Sequence, residues 1–118
     1  MTDVSDWDMP HEKYAVLVGE NEKLYGFCLI NTESSEIPAK VKFQVKILIE
    51  NNKFLDHDSF VDCASLFYID KTKVDGFYKN GKLRFLGPLY KDDLEQVLTY
   101  GKSETNVILT KKQKLFFS

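Results

Sequence analysis

The sequence predicts a single, mainly β domain, a small barrel or strongly curved antiparallel sheet with one C-terminal helix. Three observations predict it. Aromatic residues make up 14% of the chain, chiefly nine Phe and six Tyr, and flat or β-branched side chains pack best on a pleated surface. Short apolar runs alternate with polar turns along most of the sequence. Only one segment combines helical spacing of apolar residues with start and stop signals. At 118 residues the chain can bury one self-sufficient core, and two independent domains do not fit.

Residues 1 to 12 carry four acidic groups, Trp7 and Pro10 without periodicity, so they read as a flexible acidic arm pinned to the body by Trp7. The body is then residues 13 to 118. Tyr14 to Val18 and Leu24 to Ile30 are apolar strand runs, and the intervening residues 19 to 23 suit a hairpin loop. After a polar loop at 31 to 38, residues 40 to 47 alternate polar and apolar with period two, the mark of a half-buried strand.

A polar turn centred on His57 leads into Phe60 to Ala64 and Leu66 to Ile69, which read as one strand bulged near Ser65. Residues 73 to 78 and 83 to 86 flank Asn80-Gly81, the dipeptide best suited to a type I′ hairpin turn. The helix covers about 91 to 100: Asp92 and Asp93 sit in its first turn, Leu94, Val97 and Leu98 share a face, and Gly101 is placed to end it. Val107 to Leu109 form a last strand or extend the helix, and residues 111 to 118 are a basic tail with an apolar tip.

A net charge of −2 excludes a global positive field drawing the protein to phosphate backbones or acidic membranes, so nucleic-acid binding would need a local patch. Arg84 is the only arginine, the sole candidate for bidentate phosphate recognition. Cys28 and Cys63 lie inside strand runs and read as small buried hydrophobes. No apolar run approaches the ~20 residues of a membrane span, and the acidic start is unlike a secretory signal. The expected setting is the reducing cytoplasm, with no membrane partner and no cofactor.

His57, between Asp56 and Asp58, can act as a general acid or base, although Asp, His and Ser are also ordinary turn formers. His11, beside Pro10, is a weaker candidate. Ser59, His57 and Asp62 lack the nucleophile-elbow or oxyanion context of a triad. Asp56, His57, Asp58 and Asp62 offer no zinc-like spacing, so no metal site is expected. On the predicted hairpin, alternation brings Tyr78, Lys82 and Arg84 to one face, a platform for stacking bases beside phosphate-binding cations. A wet hairpin with core-facing aromatics is the competing reading.

Several segments resemble, in order, the MazF and PemK endoribonuclease toxins of toxin-antitoxin pairs. Lys13-Tyr14-Ala15-Val16-Leu17-Val18 is similar to the family's early strand, and Cys28-Leu29-Ile30-Asn31-Thr32-Glu33-Ser34 to the strand ending in a Thr-Thr or Thr-Ser turn. Phe60-Val61-Asp62-Cys63 and Tyr68-Ile69-Asp70 resemble the later strand pair, and Gly87-Pro88-Leu89 through Leu98 the closing passage into the helix.

The resemblance spans about residues 13 to 109. It implies a small SH3-like, MazF-like barrel, a homodimer, an antitoxin-like protein partner, and RNA cleavage using a strand-start arginine and the Thr or Ser of the turn. Thr32 is present, but Lys13 replaces the arginine, and Asp62-Cys63-Ala64 stands where PemK-type members have Arg-Cys-Asp. A lysine point charge cannot reproduce a guanidinium fork.

Two functions follow from this reading. One is a diverged binding module for RNA or a protein, contacting it through a groove between the 19 to 23 loop, the 31 to 38 loop and the His57 turn. The other is a metal-independent endoribonuclease in which Lys13 and Arg84 hold phosphate while Thr32 and His57 move protons.

Overall fold

A computed structural model describes residues 2–4, 13–34, 36–81, 83–106 and 108–117. The elements run β1 (Thr2–Val4), β2 (Lys13–Glu20), β3 (Leu24–Asn31), α1 (Pro38–Val41), β4 (Gln44–Ile47), β5 (Ser59–Asp62), β6 (Phe67–Asp70), α2 (Lys71–Lys79), β7 (Leu83–Phe85), α3 (Lys91–Lys102) and α4 (Lys111–Lys114). All strand pairs are antiparallel, in the order β4-β5-β3-β2-β1-β7, with β6 also on β3. The protein is therefore mainly β, and among the described residues β4 and β7 end the sheet without pairing to each other.

The β2–β3 hairpin is the spine. Asn21 closes its turn: the side-chain oxygen accepts the Lys23 and Leu24 amides at 2.9 and 2.7 Å, a local bond that short polar side chains make readily. On the other side of β3, β5 pairs at Ile30↔Val61 and Asn31↔Phe60, while β6 pairs from Leu24↔Asp70 to Phe27↔Phe67. The change of register between these ladders places extra residues at 63–66, which bulge from what is otherwise one strand path. The predicted bulge near Ser65 falls in this segment.

Period-two alternation divides the sheet into two faces. Val16, Val18, Cys28, Ile30, Val45, Ile47 and Val61 point to one, where Val97 of α3 and the terminal Phe116 and Phe117 complete the main core. Ala15 and Phe27 point to the other, covered by Val74 of α2.

Four predicted elements are corrected. Residues 71–79 form α2 instead of a hairpin arm: Val74, Phe77 and Tyr78 have helical spacing, and Asn80-Gly81 terminates the helix. Gly81 takes a left-handed φ of 73° and its amide donates to the Tyr78 carbonyl, a role glycine fills after helices as readily as in hairpin turns. The strand expected at 40 to 47 is confined to Gln44–Ile47, because Pro38 starts a short helix at its first position. Thr2–Val4 of the expected arm form a strand between β2 and β7; Trp7, Pro10 and His11 lie outside the described residues. The expected single helix is joined by α1, α2 and α4.

Gly101 does not end α3. It lies buried inside the helix, where a Cβ would stand 2.0 Å from Cδ1 of Phe117. Phe116 makes the same demand of β2 and β3, since a Cβ on Gly19 would meet its carbonyl oxygen at 1.6 Å and one on Gly26 would meet its ring at 2.8 Å. Three glycines thus form the socket for the apolar tip of the tail. Phe116 and Phe117 are 6% and 1% exposed, so this tip is core. Val107 lies outside the described residues, and 108–109 form neither strand nor helix.

Candidate functional site

The inward face of the sheet changes chemistry at one end. Continuing the alternation, Val18 and Val16 give way to Tyr14, Cys28 and Ile30 to Thr32, and Val61 to Ser59. Where the apolar rows stop, hydroxyl groups begin. With Ile30, Leu55, Asp56 and His57 these residues line an open cleft of about 200 Å³. The loop between β4 and β5 forms its far wall.

That wall is held by side chains that read, in the sequence, only as turn formers. Asn52 is 1% exposed. Its Nδ2 donates to the Leu48 carbonyl at 3.1 Å and to Oδ2 of Asp93 at 2.9 Å, and its Oδ1 accepts the Tyr90 amide at 2.9 Å. One amide therefore joins the loop to the start of α3. Asp58 accepts the Ile49 amide at 2.9 Å, closing the loop on itself, while Leu55 drops into the core.

His57 is set by two contacts. Its Nδ1 lies 2.9 Å from the Asp58 carbonyl oxygen and 3.3 Å from Oγ of Ser59, whose own hydroxyl donates to the His57 carbonyl at 3.1 Å. A carbonyl can only accept, so in the neutral ring Nδ1 carries the proton and Nε2 keeps the lone pair. In that tautomer Nε2 can accept a hydrogen bond. The side chains of Tyr14, Thr32 and Asp56 make no hydrogen bond or ion pair among the described residues, leaving two hydroxyls, one carboxylate and one imidazole nitrogen around a single space.

Thr32 and His57 thus share a cleft. Lys13 opens β2 next to Tyr14, with its backbone opposite Val4. Arg84 belongs to another strand: its backbone pairs with Asp3, and Asp3 with Tyr14 of the cleft, a separation of two strand spacings, roughly 10 Å. Tyr78 is on α2 and 61% exposed, so it does not stand on a hairpin strand paired with that of Arg84; Lys82 lies outside the described residues. The proposed groove is corrected as well. The 19 to 23 loop is at the opposite end of the hairpin from Thr32, where Glu20 and Asn21 line a separate hollow with Lys112, Leu115 and Phe116.

Asp62 has structural work of its own. Its carboxylate accepts the Ala64 amide at 2.9 Å and pairs with Lys40 at 3.5 Å, while the Lys40 ammonium also donates to Ser65 at 3.1 Å. This braces the bulge and keeps Asp62 out of any triad with His57 and Ser59. No group of three or more metal-ligating side chains occurs among the described residues.

Cys28 and Cys63 are free and buried. Burial raises both thiol pKa values far above the ordinary range, with added repulsion from Cys63 and Asp62 at Cys28, and from Asp62 at Cys63. They are neutral, unreactive core groups. Asn106, also unmarked by the sequence reading, is fully buried and donates through Nδ2 to the Cys63 and Tyr100 carbonyls, tying the bulge to the end of α3.

Sequence parity alone could have added Tyr14 and Ser59 to the site, since both continue core-facing rows. No such signal marks Asn52. Compared with protein-family models, curated proteins and solved structures, the chain matches none significantly. No described helix is long and apolar enough to cross a membrane.

Proposed function

We propose that this chain is a diverged MazF- and PemK-like module, a cytoplasmic protein that binds another protein through the Thr32–His57 cleft and does not cut RNA. The observation that carries this reading is the charge of the cleft. Its lining supplies one carboxylate, Asp56, and no lysine or arginine among the described residues. A nuclease must neutralise a phosphorane-like transition state with closely aimed cations, and here the only arginine of the sequence belongs to β7, two strands from Tyr14 at the edge of the cleft.

Thr32 supplies the hydroxyl that the resemblance associates with cleavage, and His57, a general acid or base candidate in its own right, lines the same cleft, so the endoribonuclease reading has a specific observation behind it. One experiment separates the two. Purified protein incubated with a long mixed-sequence RNA, in chelator and without metal, should leave the RNA intact, and retention of that RNA on filters should be weak and flat with salt. Discrete fragments that vanish in both Thr32→Ala and His57→Ala would overturn the binding-module reading. Retention falling steeply with salt would make RNA the partner instead.

A further inference from the structure

We propose that the cleft accepts a single lysine or arginine side chain presented by the protein partner. The inference rests on the binding-module reading and names the group that the site takes. The polar side-chain atoms of the cleft that bond to nothing described can each accept a hydrogen bond: the Asp56 carboxylate, Nε2 of the neutral His57 ring, and the Thr32 and Tyr14 hydroxyls. The only charge they bring is negative. Behind them stand apolar surfaces, Ile30, Leu55 and the Tyr14 ring.

A carboxylate and neutral acceptors at the rim of an apolar trough complement a cation on a hydrocarbon stem. Lysine and arginine bury their methylenes along apolar surface while keeping the charged head among polar groups, and a cation near an aromatic ring is attracted to its face. Asp56 is the acid free to serve. Asp58 is engaged by the Ile49 amide, and Asp62 by Ala64 and Lys40.

Size and shape point to a side chain in preference to a free metabolite. About 200 Å³ is below the roughly 300–1,000 Å³ typical of clefts that envelop small-molecule ligands. An open trough cannot enclose a free amine on all sides, whereas a side chain arrives already tethered to a surface that adds contacts.

The test is an amide-resolved NMR titration of the full chain with acetyl-Ala-Lys-Ala-amide, acetyl-Ala-Arg-Ala-amide, the norleucine analogue, butylammonium, inorganic phosphate and AMP. The lysine and arginine peptides should give saturable shifts at Thr32 and across residues 55–59, and the norleucine peptide should not. Asp56→Asn should weaken the cationic peptides about tenfold while leaving signals remote from the cleft unmoved, because residue 56 is exposed and bonds to nothing described. Equal response to norleucine, no response to either cationic peptide, or shifts at these residues with phosphate or AMP would overturn the proposal. Butylammonium binding as tightly as the peptides would overturn it in favour of a free amine. RNA fragments in the separate cleavage assay would strike the binding-module reading itself, whereas intact RNA with unresponsive peptides strikes only this inference.

Discussion

The two ends of the β2–β3 hairpin share strands and a core-facing side, yet one is plugged and the other open. At the Gly19↔Gly26 end the sheet has given up side chains so that Phe116 can press against backbone, as Gly101 of α3 does for Phe117. At the Tyr14↔Ile30 end it keeps side chains, ends them in hydroxyls, and leaves a space that nothing described fills. The contrast teaches that stability and recognition are assigned to opposite ends of one element. Substitutions at the two ends should therefore fail in different assays.

The largest effects belong to the plugged end. Gly19→Ala sets a methyl group against the Phe116 backbone carbonyl and Gly101→Ala sets one into the Phe117 ring, and relief requires displacing the tail that buries these rings, whose burial is worth about 3–5 kcal/mol each. Urea unfolding should show a loss of that order for either variant. A loss below about 1 kcal/mol would mean that the socket is not closed.

Next is Asn52→Ala, which strands the Tyr90 amide and takes a donor from the Asp93 carboxylate at a buried position. The expected cost is about 2–3 kcal/mol, and the variant should also disturb the cleft, because the same amide holds its far wall. Unchanged stability, or unchanged amide shifts at residues 55–59, would detach Asn52 from the site.

The thiols beneath the sheet add a pH signature. Both have raised pKa values in the folded chain, against 9.0 as the ordinary reference, so their contribution is fully present below pH 9 and is lost as pH rises towards the folded values. Above 9 the unfolded chain releases thiol protons that the native chain retains. Stability should then fall by up to about 1.4 kcal/mol per pH unit for each thiol. The Cys28→Ala, Cys63→Ala double variant should show a shallower alkaline slope; identical slopes would refute burial as the cause.

The smallest effects complete the comparison. Gly76 is a helix glycine with open space where a Cβ would go, so Gly76→Ala should stabilise by about 0.5–1 kcal/mol, opposite in sign to Gly101→Ala. Thr32→Ala, at the open end, should change stability by no more than about 0.5 kcal/mol. A thermal melt of each checks both.

Legibility in the sequence followed the range of the interactions involved. β2 and β3 were readable because apolar runs bounded by polar turns report local burial directly, and α3 because its spacing and acidic first turn agree. Thr32 is marked by the resemblance and His57 by its acidic neighbours, and neither signal alone says that the two line one cleft. Helix α2 was misread because Asn80-Gly81 serves two kinds of chain reversal, and spacing at Val74, Phe77 and Tyr78 should have decided between them. Strand β1 has no periodicity to betray it; its pairing is supplied by distant strands. The glycine socket and the Asn52 bridge depend on contacts between segments far apart in sequence, where a glycine or an asparagine says only that a turn is allowed.

β7 joins the sheet, among the described residues, solely through three residues of β1, pairing Thr2 with Phe85 and Val4 with Leu83. Two short ladders in series make one cooperative opening unit. Whenever Thr2–Val4 detach, Leu83–Phe85 lose their only registered neighbour, so amide protons in both segments should exchange with deuterium at matched rates, well ahead of those in the β2–β3 spine.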